Sequence, residues 1–198
     1  MKKLTKIMVA SLLTLTVATG CGTTEKTAQN DEHAGHDHPA TNNGGSGSTG
    51  HPAGAQAEAY KTLKVGESVK LTTIGDLQEA TANKTSLPAF LMNKNAKMKD
   101  SYKAAVENVD ILQYIPCYCG CGEHAGHMSN AECFVRDVRP DGVVVWDDHG
   151  TRCDTCMNIA LKAAEMKEEG KTVKEIRTYI DEKYKKGYAK PTPTPMPS

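Results

Sequence analysis

Aromatic side chains are scarce in this chain of 198 residues: one Trp, two Phe and seven Tyr. Any core must therefore be modest and rest on Val, Ile, Leu, Met and Tyr. Net charge is absent as well, with 24 Lys and Arg against 24 Asp and Glu, and no basic run is long or interleaved with aromatics. That excludes the electrostatic footprint of a nucleic-acid binder. No Ser-His-Asp set, paired carboxylates or glycine-rich phosphate loop is present, so the chain reads as a binding protein more than as an enzyme. What the chain does have is sulfur, with seven Cys and eight Met.

The first of those cysteines stands apart. "MKK" supplies positive charge, "IMVASLLTLTVA" is an apolar run too short to span a membrane as a mature helix, and small residues precede Cys21. Residues 1–20 read as a secretory signal. The ending Ala18-Thr19-Gly20-Cys21 resembles a lipobox, with Ala18 where Leu is usual. The expectation is a lipoprotein cleaved before Cys21, with lipid (thioether-linked, palmitate among its acyl chains) on that sulfur. The chain is then anchored at the extracytoplasmic face of the cell membrane. Losing Lys2, Lys3 and Lys6 leaves the mature chain slightly acidic, and lipidation leaves six cysteines, all beyond residue 116.

Residues 21–59 are rich in Thr, Gly, Ser, Ala, Asn and His without apolar period, which predicts a disordered tether. Such a coil spans roughly 35 Å by the square-root rule. Residues 189–198, "AKPTPTPMPS", predict an extended proline-rich tail. The folded, cysteine-rich domain is placed at 60–188. "YKTLKVGESVKLTTIGDLQEA" suggests a strand or two and then a short helix, and "LPAFL" leads into the next helix. From about Ala96, the residues Tyr102, Ala105, Val106, Val109 and Leu112 form one helical stripe that must end before Pro116. "CFVRDVRPDGVVVWDD" reads as a hairpin turning at Arg139-Pro140-Asp141-Gly142. A helix is read in "HGTRCDTCMNIALKAAEMKEEG", with Thr151 and Asp154 as its cap and Gly170 as its stop. A last helix has Thr172 and Glu175 as capping box and Val173, Ile176, Ile180 and Tyr184 as its stripe. The fold class is α+β: a small, mainly helical domain with a β-hairpin bracketed by cysteines, a disordered N-terminal tether and a Pro-rich tail.

The chemistry centres on "PCYCGCGEHAGH". In an extended strand Cys117, Cys119 and Cys121 would lie about 7 Å apart in succession, too far to share one ion. The segment must curl, and Gly120 and Gly122 permit it. Cys133 leads into the hairpin. Cys153 and Cys156 lead out of it, on one face of a helix N-terminus where a thiolate is favoured, and Ala160 and Ala163 continue that face inward. Six cysteines in an extracytoplasmic chain allow three disulfides in 15 arrangements. That solution would stack every bridge on one five-residue loop. Metal ligation accounts better for the clustering.

The candidate ligands are Cys117, Cys119, Cys121, Cys133, Cys153 and Cys156, with His124, His127 and His149 beside them. Soft thiolates select copper(I), zinc or iron–sulfur centres; copper(I) is the favoured ion and zinc the alternative. A c-type haem is disfavoured because Met157, not His, follows Cys156. Met128 and Met157 taken singly read as core filler, and His149 beside Asp147 and Asp148 fits acid–base work or an exposed turn after the hairpin equally well. The pentapeptide "EHAGH" occurs both at Glu32–His36 and at Glu123–His127. The tether's His33, His36, His38 and His51 could gather ions loosely for the tighter site.

The blocks "IPCYCGCGEHAGH", "CFV", "WDDHGTRCDTCMNIA" and "EIRTYIDEKY" resemble the PCYCGC-motif lipoproteins of Gram-positive bacteria over approximately Leu87 to Tyr184. The resemblance implies an extracytoplasmic lipoprotein and adds little on mechanism. The expected function is binding of soft metal ions through the cysteine cluster, for buffering or for transfer with a metal donor or acceptor protein. Two alternatives stand beside it: a thiol–disulfide oxidoreductase using Cys153 and Cys156, and a disulfide-stapled binding domain.

Overall fold

A computed structural model describes residues 58–71, 74–121 and 125–197. The leader, Cys21, the tether, Gly122 and His124 lie outside the described residues. Among the described residues no helix is long and apolar enough to cross a membrane.

Four strands form one antiparallel sheet in the order β1-β2-β4-β3: β1 Ser68–Lys70, β2 Leu77–Thr81, β3 Val135–Val138 and β4 Val144–Asp147. The hairpin expected from "RPDG" is β3–β4. Its turn is closed by Gly142 N–H donating to Arg139 O at 2.9 Å, and Gly142 takes φ +90, a torsion glycine tolerates. The short helix expected near Asp76 is instead β2. Gln78 and Ala80 alternate inward there, and the strand pairs with β4 from Gln78↔Asp147 to Thr81↔Val144. Packing on a central strand outweighs the weak strand propensity of "LQEAT".

β4 is buried along its length because both faces of the sheet are covered. Val144 and Trp146 face the main core, and Val145 faces a smaller cluster with Leu63 and Ala80. Over the main face lie the helices α1 Ala96–Glu107, α2 Val109–Leu112, α3 Asp154–Glu168 and α4 Val173–Lys183. The helical stripe is as expected but breaks at Asn108, whose Nδ2 donates to Ala104 O at 2.8 Å and separates α1 from α2. Tyr102 stands at the centre, edge-on to Phe134 at 5.0 Å, with its hydroxyl donating to Asp147 O at 2.8 Å. The capping box of α4 forms as expected, and Ile176, Ile180 and Tyr184 are buried.

The cap of α3 differs from expectation. Thr151 belongs to a 3-10 turn, Asp148–Arg152, and its hydroxyl donates to Asp148 O at 2.7 Å. The N-cap is Cys153, whose Sγ accepts from Cys156 N–H at 3.4 Å. At the other end Gly170, at φ +79, lets Lys171 N–H reach Met166 O at 3.0 Å and closes the helix.

The C-terminal tail is extended, as its prolines require, but it is docked. Ala189 N–H donates to Tyr118 O at 3.1 Å and Thr192 N–H to Cys117 O at 3.1 Å, while Cys117 N–H donates to Thr192 Oγ1 at 2.9 Å. Arg177 Nη1 holds the carbonyls of Thr194 and Pro195 at 3.3 and 3.2 Å. The segment is a strap across the cysteine loop.

Candidate metal centre

Three stretches of chain deliver the cysteines. The loop after Pro116 carries Cys117, Cys119 and Cys121. It curls at Gly120, φ +80, and is pinned outside by the strap and by Tyr118, whose hydroxyl donates to Asp181 Oδ1 at 2.6 Å. A 3-10 turn, Ala131–Cys133, sets Cys133 just before β3. The start of α3 supplies Cys153 and Cys156. The hairpin returns the chain to the same place, so the cysteines flanking it meet the loop.

The result is one sulfur basin. Cys156 Sγ lies 3.2 Å from Cys117 and from Cys153, 3.5 Å from Cys133 and 3.8 Å from Cys119. Cys117 lies 2.9 Å from Cys119 and 4.0 Å from Cys133. Two sulfurs of a tetrahedral site with metal–sulfur bonds of about 2.3 Å stand about 3.8 Å apart. These separations straddle that value, so seating an ion needs shifts of less than about 1 Å. Cys121 is at the rim, grouped with Cys119 and His149. All six thiols are free; the three-bridge arrangement is not present.

The protons of the basin are shared unequally. Thiol hydrogen bonds from Cys117, Cys153 and Cys156 hold Cys119 far below the usual thiol range, and those from Cys117 and Cys156 do the same for Cys133. Their donors are pushed the other way: Cys117 and Cys156 go up, and Cys153 rises to about 12 because its proton is held by Cys119. At Cys153 the direction is opposite to the one a helix N-terminus favours. The neighbouring sulfurs outweigh the helix dipole there.

His127 is buried with Nδ1 at 3.6 Å from Cys133 Sγ. Burial opposes its charge, but the Cys133 thiolate and Asp147 hold the proton and the balance is upward. His149 stands edge-on to His127, ring centroids 4.7 Å apart. Asp76, 3.0 Å from its Nδ1, and then Cys119 raise it to about 11. His149, Asp147 and Asp148 are not an exposed turn. Asp147 is 1% exposed, with Gln78 Nε2 donating to it at 3.0 Å. Met157 is core filler as expected, but Met128 is 49% exposed.

Sequence reading missed Asp76 and the strap. Asp76 is remote in sequence, in the β1–β2 turn, and nothing local distinguishes it. The strap left only a trace, the alternation of Thr with Pro, which sets Thr192 and Thr194 on a stiff extended backbone. Between strap and loop lies a cavity of about 390 Å³ bordered by Cys117, Gly120, His127, Met128, Thr192 and Pro193. Through Cys117 it borders the basin.

Fold and site together define a cysteine-rich α+β domain with a thiol cluster able to hold a metal ion. The chain belongs to the family described as "Protein of unknown function with PCYCGC motif", whose profile matches residues 52–197. That match is wider than the motif blocks and takes in the strap. Comparison with curated proteins and with solved structures gave no match.

Proposed function

We propose that this protein is a lipid-anchored, extracytoplasmic binder of soft metal ions, copper(I) foremost, which buffers the ion or passes it to or from a partner protein. The observation that carries the reading is Cys156, a buried sulfur surrounded at 3.2 to 3.8 Å by four others drawn from three separate stretches of chain. A sulfur so placed suits a bridging thiolate between ions. Thiolates prefer soft cations. Copper(I), content with two or three sulfurs, tolerates uneven spacing better than zinc, which asks for four near 3.8 Å. The cavity under the strap provides access without exposing Cys133 or Cys156.

The lipobox-like "ATGC" and the charged, apolar leader support the anchor and the extracytoplasmic location. Elemental analysis of protein purified without chelators, with free thiols counted in parallel, tests the binding. Stoichiometric copper with the thiols masked supports it; six reactive thiols and no metal, or three native bridges, would sink it. Cys21→Ala should release the chain from the membrane fraction, and unchanged retention argues against the anchor.

A further inference from the structure

Asp76 takes no part in the sulfur basin, yet it is 1% exposed. Its Oδ2 lies 3.0 Å from His149 Nδ1, and its Oδ1 pairs with the Arg152 guanidinium. His127, also buried, meets the ring of His149 edge-on. One ligand atom from each of Asp76, His127 and His149 lies within 4.8 Å of the other two. A zinc ion with nitrogen and oxygen bonds of about 2.0–2.2 Å sets its ligands about 3.4 Å apart. The excess over that spacing is at most about 1.4 Å.

The surroundings give a second reason. The carboxylates of Asp76, Asp147 and Asp148 also lie within 4.8 Å of one another. Arg152 pairs with Asp76 and Asp148. Asp147 has only neutral donors, Gln78 Nε2 and His149 N–H. These carboxylates surround the place with oxygen donors that suit a cation. Beside Asp147, the amide oxygen of Gln78 is buried and has no donor.

We infer that Asp76, His127 and His149 form a second metal site next to the sulfur basin, for a borderline divalent ion of the zinc class. Arg152 keeps the carboxylate oxygen that the metal leaves free. Imidazole and carboxylate suit such an ion, whereas the thiolates suit a softer one. The domain then holds two ions of different hardness side by side. The site rests on the grouping of Asp76 with His127 and His149, so it stands whether or not copper(I) is the occupant of the basin.

The probe is Co²⁺, titrated into the full chain after its thiols are filled with copper(I), and followed by d–d absorption and metal content. Wild type should take up one Co²⁺ more than Asp76→Asn, both keeping the same copper(I) capacity. The tether histidines are present in every variant and cancel. Arg152, 48% exposed, can be replaced without disturbing the core. Arg152→Gln should bind Co²⁺ about tenfold more tightly, because a charge about 6 Å from a divalent ion is removed. Equal uptake in all three proteins, or none in the copper-filled wild type, overturns the site and leaves the thiolate reading intact. If copper(I) does not mask the thiols, that reading fails instead, and the same comparison on metal-free protein decides this one.

Discussion

Replacing Cys156 with serine should separate the hub of the basin from its rim. An ion seated among Cys117, Cys119, Cys133 and Cys153 has Cys156 in reach, at 3.2 to 3.8 Å from each of those sulfurs. A serine hydroxyl is a hard donor and does not replace a soft thiolate. Cys156→Ser is expected to weaken copper(I) binding at least a hundredfold, about 2.8 kcal/mol. Cys121→Ser, at the rim, should stay within about tenfold, or 1.4 kcal/mol. Anaerobic competition against a chromophoric copper(I) chelator gives the affinities, and sulfur-to-copper charge-transfer absorption gives the stoichiometry. Cys156 is fully buried, so its hydroxyl replacement costs the metal-free fold about 1–3 kcal/mol unless it finds a partner. Urea unfolding of the metal-free variants keeps that loss apart from the binding loss. A folded Cys156→Ser protein with unaltered affinity and stoichiometry, beside a Cys121→Ser protein that has lost both, would refute the placing of the ion.

Burial lifts the Asp147 carboxyl from 3.8 to about 6, so between those values the folded chain keeps a proton that the unfolded chain has given up. Its contribution is present below about pH 4 and lost as pH rises through 6, a change of about 3 kcal/mol. Metal-free Asp147→Asn should therefore match wild type near pH 4 and exceed it at pH 8 in urea melts, with Gln78 turning its donor-free oxygen to the new amide; a difference that does not vary with pH contradicts this. Gly150→Ala places a methyl 2.6 Å from the Phe134 ring and 2.8 Å from Cys133 O. Overpacking of that kind costs about 1–3 kcal/mol, so its thermal midpoint should fall, and an unchanged midpoint would show that Phe134 can yield. Thr192→Val leaves the buried Cys117 N–H without its acceptor, and copper(I) should then pass to a chelator faster than from wild type in stopped-flow exchange; equal rates would mean that the strap does not control access.

Much of the scaffold was legible along the chain because its signals are local. The "RPDG" hairpin, the Thr172–Glu175 box, the stripe of α4 and the Gly170 stop each depend on neighbours within a few residues. Where tertiary contacts compete, local reading gave the wrong element. The stretch at β2 pairs with a central strand, and Cys153 displaces Thr151 as cap because its thiol already sits in the basin. Met128 looked like filler, but position in the sequence says nothing about which side of the loop faces water.

For this protein, the residue types by themselves decided the hardness of the site. Cysteines on both sides of a hairpin and beside a curling glycine carry soft chemistry wherever they end up, since ligand preference belongs to the sulfur atom. Only the three-dimensional arrangement decided that Cys156 is central and Cys121 peripheral. It alone brought Asp76, 73 residues away, against His149, and laid the C-terminal strap over the loop. Those pairings join segments distant along the chain, and they are fixed by how sheet and helices fill space, not by any preference the segments have alone.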